Sequence, residues 1–198
     1  MNSSVLLFGG SFDPPHLGHL LIGQWVTELL GAPVRFLPNG TPPHKIPNTP
    51  PEARLTMLKL ALFDNPRLTI DKTELCSQSY NYTVDTLRRH RAQGVMRDDL
   101  YFVLGSDALN SLGSWREPRE IIQLCTLVVF PRQPIMPNLV QNLRAQGAKL
   151  IITEAPMLEI SSSLVRQRVY QGKSIRYLVP DAVEEFIKKS GLYKEEKA

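Results

Sequence analysis

The sequence predicts an α/β fold: a doubly wound, mostly parallel sheet, with a small helical segment over about residues 160–198. Two observations predict it. Apolar runs of strand length alternate almost throughout with longer stretches of helical spacing, the pattern that covers a parallel sheet on both faces. At the first such junction Val5-Leu6-Leu7-Phe8 runs through Gly9-Gly10 into a helical stretch ending at Leu30, a strand–glycine–helix sequence suited to binding phosphate.

Taken in order, Gly31-Ala32-Pro33 stops the first helix, and Val34-Arg35-Phe36-Leu37 is the second strand of a βαβ unit. Six prolines between Pro38 and Pro51 exclude helix and central strand, leaving a long loop at a strand end, where open α/β sheets make ligand contacts. Pro51–Phe63 is helical, with Leu55, Met57, Leu58 and Leu62 as its apolar stripe. Leu68–Ile70 is a short strand and Val84–Ala92 a helix. Leu100–Leu104 is the clearest interior strand, and Gly105-Ser106-Asp107 ends it beside the same crevice. A short helix over Ala108–Leu112 and another over Glu117–Leu124 precede the strand Thr126–Phe130. Asn138–Gln146 is helical and Leu150–Thr153 is the last strand. Helices over Ser162–Gln171 and Asp181–Ser190 complete the chain.

The 198 residues suit one domain, 1–198, that buries a full core. With 42% hydrophobic and 21% charged residues it has an ordinary globular composition, and a net charge of +4 suits anionic ligands without indicating nucleic acid. The cluster Arg88-Arg89-His90-Arg91 is expected on a solvated helix face. No apolar run approaches the roughly 18 residues of a membrane span, and a basic leader is absent, so a cytoplasmic protein is expected. Cys76 and Cys125 stand far apart and read as free thiols. A homo-oligomer is left open.

His16 and His19, three residues apart with Gly18 between them, fall on one face of a helix start, where two imidazoles can reach one polyphosphate. The spacing is not that of a metalloprotease, and no lysine completes a P-loop. Ser161-Ser162-Ser163 before a helical stretch would serve as its N-cap, but also offers donors at a helix start with Arg166 one turn along. Two such helix starts suggest a polyphosphate gripped from both sides.

The HxGH element with its C-terminal serine–arginine motif resembles the HxGH-type nucleotidylyltransferase superfamily. More narrowly, GGSFDPPHLGH at 9–19, PPHK at 42–45, YTVDTL at 82–87, GSD followed by Trp115, and ISSSLVR at 160–166 resemble the bacterial nicotinate-nucleotide adenylyltransferases, in the same order. The resemblance implies a Rossmann-like sheet and transfer of AMP from ATP to nicotinate mononucleotide, with Mg²⁺ carried mainly by ATP and no dedicated metal ligands. It implies that His16, His19 and Arg166 act on the phosphates, and that Ser161 and Ser162 grip the β and γ groups. Gly9, Gly10, Ser11 and Phe12 would line the join between the nucleotides, while Gly105 would border ATP and Asp107 would accept from its ribose hydroxyls. Asn39, His44 and Lys45 would face the mononucleotide, Thr83 its carboxylate, and Trp115 would stack on its pyridine ring. The segment Phe130-Pro131-Arg132-Gln133-Pro134 departs from the family's arginine–proline–glycine turn. A sister enzyme acting on nicotinamide mononucleotide and a non-catalytic nucleotide-binding module are the alternatives.

Overall fold

Six parallel strands in the order β3-β2-β1-β4-β5-β6 form the centre of the computed structural model, which describes residues 4–40, 47–75, 80–156 and 158–194. They are β1 (Val5–Gly10), β2 (Val34–Pro38), β3 (Leu68–Ile70), β4 (Leu100–Gly105), β5 (Thr126–Phe130) and β6 (Lys149–Ile152). Every strand read from the sequence is present within a residue or two of its expected bounds. The order reverses between β1 and β4, so connections leave these neighbours in opposite directions and open a crevice at their carboxyl ends.

The strands' period-two alternation feeds two cores. Val5 and Leu7 of β1 face one side with Leu127 and Val129 of β5; Leu6 and Phe8 face the other with Val128 and Phe130. On the first side lie α3 (Thr83–Ala92), α4 (Ser106–Asn110), α5 (Pro118–Leu124) and α6 (Leu139–Ala145), contributing Val84, Leu87, Leu109, Ile121, Ile122 and Leu143. On the second lie α1 (Leu17–Leu30) and α2 (Pro51–Leu62), contributing Ile22, Val26, Leu58 and Leu62. A third cluster joins Met57 and Ala61 of α2 to α7 (Ser162–Tyr170) and α8 (Asp181–Ser190) through Val165, Val183 and Ile187. The C-terminal helices therefore pack on α2, outside the two sheet layers.

Two expectations are corrected. The buried stripe of α2 is Arg54, Met57, Leu58, Ala61 and Leu62, with Leu55 only half-buried: the helix presents an arginine where an aliphatic residue was expected. The Arg88–Arg91 cluster is only in part a solvated face: Arg89 is exposed, but its neighbours are engaged. Arg88 pairs with Asp85, Glu117 and Glu120, tying α3 to α5, and His90 is buried 3.7 Å from Asp71. Cys125 is a buried free thiol whose pKa burial pushes up to about 12; Cys76 lies outside the described residues. Among the described residues no helix is long and apolar enough to cross a membrane.

Candidate active site

The crevice at the carboxyl ends of β1 and β4 is a cleft of about 470 Å³. Gly9 and Gly10 end β1, Gly105 ends β4, and the start of α7 also lines the cleft. His16 is the N-cap of α1 and His19 sits in its first turn. Their rings stack with centroids 3.6 Å apart, and His19 Nδ1 accepts the His16 backbone N–H at 3.2 Å. A neutral His19 therefore carries its proton on Nε2. A Cβ at Gly18 would lie 3.1 Å from the His16 ring, so this glycine leaves the room that the ring occupies.

Burial and, next, the Arg132 guanidinium lower the His16 pKa to about 4. Burial, His16 and Arg132 hold His19 well below its ordinary value. Both rings are thus neutral near pH 7, unlike free cations waiting for phosphate. The Phe12 ring is in the core, edge-on to His19 at 5.0 Å, with its backbone at φ +48° where the loop turns. It supports the histidine from below while the residue itself borders the cleft.

Beside the histidine loop, Ser161 caps α7 by accepting the Leu164 N–H at 3.1 Å, and Ser162 Oγ donates to the Pro14 carbonyl at 2.8 Å. Arg166 Nη1 donates to the Asp13 carbonyl at 2.7 Å and Nη2 to Ser163 Oγ at 3.1 Å. These side chains tie α7 to the loop after β1 as well as lining the cleft. The first backbone N–H groups of α7 remain available to an anion by the ordinary geometry of a helix start.

At the β4 end, Asp107 lies in the first turn of α4, 3.5 Å from Arg132 Nη1. The buried Ser106 hydroxyl accepts the N–H groups of Arg132 and Gln133, both at 3.0 Å, and donates to the Gln133 carbonyl. It thereby ties the loop after β5 to the end of β4. Sequence reasoning left Arg132 without a role; its signal was a cation two residues past a strand's carboxyl end.

Thr83 at the first position of α3 and the half-buried Trp115 line the far end of the cleft, the indole edge-on to Phe102 at 6.3 Å. Asn39, just after β2, donates its N–H to the Gly10 carbonyl at 3.1 Å, and its side chain reaches Ser11 Oγ at 3.4 Å. The structure thus brings together every expected site residue within the described range; His44 and Lys45 lie outside it. Among the described residues no three His, Cys, Asp or Glu side chains converge as metal ligands would.

Sequence reasoning also missed Arg54 and Asp13. Arg54 is fully buried below the cleft with its guanidinium on backbone carbonyls, and its signal was a charge at an apolar-stripe position. Asp13 is 2% exposed; its carboxylate accepts the Asn48 N–H, the Thr49 hydroxyl and the Tyr193 hydroxyl, each at 2.6 Å.

The cytidylyltransferase-like family model matches residues 7–168, which include the cleft from the glycine pair through Arg166. A probable nicotinate-nucleotide adenylyltransferase of Thermus thermophilus is 41% identical over 189 residues, covering 95% of this chain and 98% of the relative. One from Dehalococcoides mccartyi is 41% identical over 194 residues, covering 94% and 95%. The nicotinic acid mononucleotide adenylyltransferase of Plasmodium falciparum, solved in complex with NaAD, superposes with a TM-score of 0.83 at 20% identity. That superposition covers 98% of this chain and 99% of the other, a likeness of fold.

Proposed function

The chain belongs to the cytidylyltransferase-like family and, within it, to the nicotinate-nucleotide adenylyltransferases, and on that premise we propose that it transfers AMP from ATP to nicotinate mononucleotide, forming nicotinate adenine dinucleotide and pyrophosphate in NAD biosynthesis. The observation that carries the reading is the stacked His16–His19 pair beside the α7 start, both lining the β1/β4 crevice. A triphosphate in that crevice meets donors from two helix starts. Residues 1–198 are taken as one catalytic unit, with the two nucleotides as its partners and the cytoplasm as its location.

The acceptor's phosphate is already largely dianionic near neutrality, its second pKa being about 6, so no general base is required. An oxygen of that phosphate forms a bond to the α-phosphorus of ATP. The bond from that phosphorus to the bridging oxygen breaks, and its electron pair leaves with pyrophosphate. What the protein contributes is alignment and stabilisation of charge. His19 offers Nε2–H, and His16 stands beside it at the α-phosphate. Arg166 and the α7 start, with Ser161 and Ser162, face the β and γ groups; Arg132 adds a cation on the β4 side. Mg²⁺ carried mainly by ATP would supply charge neutralisation on the leaving group.

Gly9, Gly10, Ser11 and the Phe12 backbone border the junction of the two nucleotides. Gly105 lets the chain approach the ATP ribose, and Asp107 accepts from its hydroxyls. Thr83 donates toward the nicotinate carboxylate while Trp115 covers the ring; Asn39, His44 and Lys45 serve the mononucleotide's phosphate and ribose.

The test is dinucleotide formation and pyrophosphate release with MgATP and each of nicotinate and nicotinamide mononucleotide. We expect the acid to be favoured about ten-fold or more in kcat/KM. Preference for the amide by the same factor overturns the acceptor; ATP binding without turnover of either indicates a non-catalytic nucleotide-binding module.

A further inference from the structure

Arg54 places a cation in the core of α2, fully buried. Nη1 donates to the Ser11 carbonyl at 3.0 Å and the Asn39 carbonyl at 2.7 Å, and Nη2 donates to the Gly40 carbonyl at 3.3 Å. Ser11 belongs to the loop between β1 and α1, which carries the glycine pair and leads to the histidines. Asn39 and Gly40 follow β2 and open the segment that contains His44 and Lys45. One rigid, planar group therefore spans the backbones of the two loops assigned to the two reactants. An ammonium in its place would lack the fork that meets several carbonyls in fixed geometry.

The Asp13 carboxylate is the strongest opposite-charge influence on Arg54, and it too is held from several directions. Asn48 and Thr49 grip it from the far end of the loop after β2. Tyr193 grips it from beyond α8; burial and the Asp13 charge push the phenol's pKa up, so it remains a donor. The loop after β2 is consequently fastened to the loop after β1 at both of its ends. Arg54 does this at Asn39 and Gly40, Asp13 at Asn48 and Thr49.

Neither Arg54 nor Tyr193 contributes one of the groups that would touch a single reactant. ATP would still find the histidines and α7; the mononucleotide would still find Thr83 and Trp115. We propose that Arg54 and Tyr193 are positioning residues for the transfer, holding the two reactant loops in register so that the acceptor oxygen meets the α-phosphorus in line. The proposal rests on the adenylyl-transfer reading above. A misplacement of about 1 Å is enough to cost about 100-fold in rate. Loss of register should therefore appear in kcat rather than in the binding of either substrate alone.

Arg54→Lys and Tyr193→Phe in the full chain test this. Pyrophosphate release under saturation supplies kcat. Calorimetry supplies the separate Kd values, using a non-hydrolysable ATP analogue and the mononucleotide. Arg54→Lys should lower kcat by about 30- to 100-fold and Tyr193→Phe by about three- to five-fold, while each Kd stays within about three-fold of wild type.

Two results overturn the proposal: kcat within about two-fold of wild type in both variants, or a Kd that rises as far as kcat falls. If Arg54→Lys does not fold, Tyr193→Phe decides, since it removes a single hydroxyl. Should the wild-type protein prefer another mononucleotide, the acceptor assignment fails. The same comparison of variants, run with that acceptor, still decides the positioning role.

Discussion

His16 and His19 lie face to face, with ring centroids 3.6 Å apart and planes 25° from parallel. Two imidazolium ions at that spacing, partly out of water and beside Arg132, would repel strongly, so the free site holds neutral rings. A polyphosphate reverses the balance, because its negative charge favours protonation of whichever ring it approaches.

The lowered histidine pKa values make stability depend on pH. Between about pH 4 and 6.5 the unfolded chain binds a proton at His16 that the folded chain refuses, so stability is lost as the pH falls through that window. His16 alone accounts for on the order of 3 kcal/mol of this loss, and His19 acts in the same direction. Thermal unfolding from pH 7.5 to about 4.5 should show Tm falling with acidity, and His16→Asn should flatten that slope. A slope unchanged in the variant would show that other groups set it.

His19→Ala should lower kcat for pyrophosphate release by about 100- to 1000-fold, the usual loss when a donor to transition-state charge is removed. The helix start keeps its Leu17 N–H bond to the Leu178 carbonyl, so the variant should remain folded by circular dichroism. Near-normal turnover in a folded His19→Ala protein would remove the histidine from the reaction.

Gly105→Ala should separate ATP binding from folding. A Cβ there would lie 2.2 Å from Asp107 Oδ1 and 2.8 Å from Arg132 Cδ, both on side chains that can swing away. Stability should therefore change little, while displaced Asp107 and Arg132 raise the KM for ATP by about ten-fold and leave the acceptor KM near wild type. An equal rise in both KM values would count against a site on β4 that serves ATP alone.

Trp115→Ala should raise the mononucleotide KM by about three- to ten-fold, the range expected for one lost aromatic stack, and Trp115→Phe should recover much of it. Titration of indole fluorescence with the mononucleotide offers a second measure. An unchanged KM in Trp115→Ala would leave the indole only its packing against Phe102.

The sheet and its helices were legible because a parallel strand buried on both faces must be mostly apolar, as Leu127, Val128, Val129 and Phe130 of β5 are. The histidines and glycines were legible because they lie close together in sequence. What escaped are interactions in which distant segments meet. Arg54 contradicts its own helical stripe, and nothing local reveals that three carbonyls converge on it. His90 looked like one more charge on a basic helix, yet α3 turns it inward toward Asp71. The serines before α7 were read for their hydroxyls. The Ser161 hydroxyl is already engaged with its own helix and that of Ser162 with Pro14, a use that only tertiary placement exposes.

The bond from Tyr193 to Asp13 also has a temporal side. A ribosome makes Tyr193 180 positions after Asp13. At about 5–20 residues per second that interval is on the order of ten to forty seconds. Throughout it the nascent loop lacks its tyrosine, and α7 and α8 are made only in its last part. A half-made chain therefore has the glycine–histidine loop but neither the α7 start that lines the cleft beside it nor the tyrosine bond that fastens it.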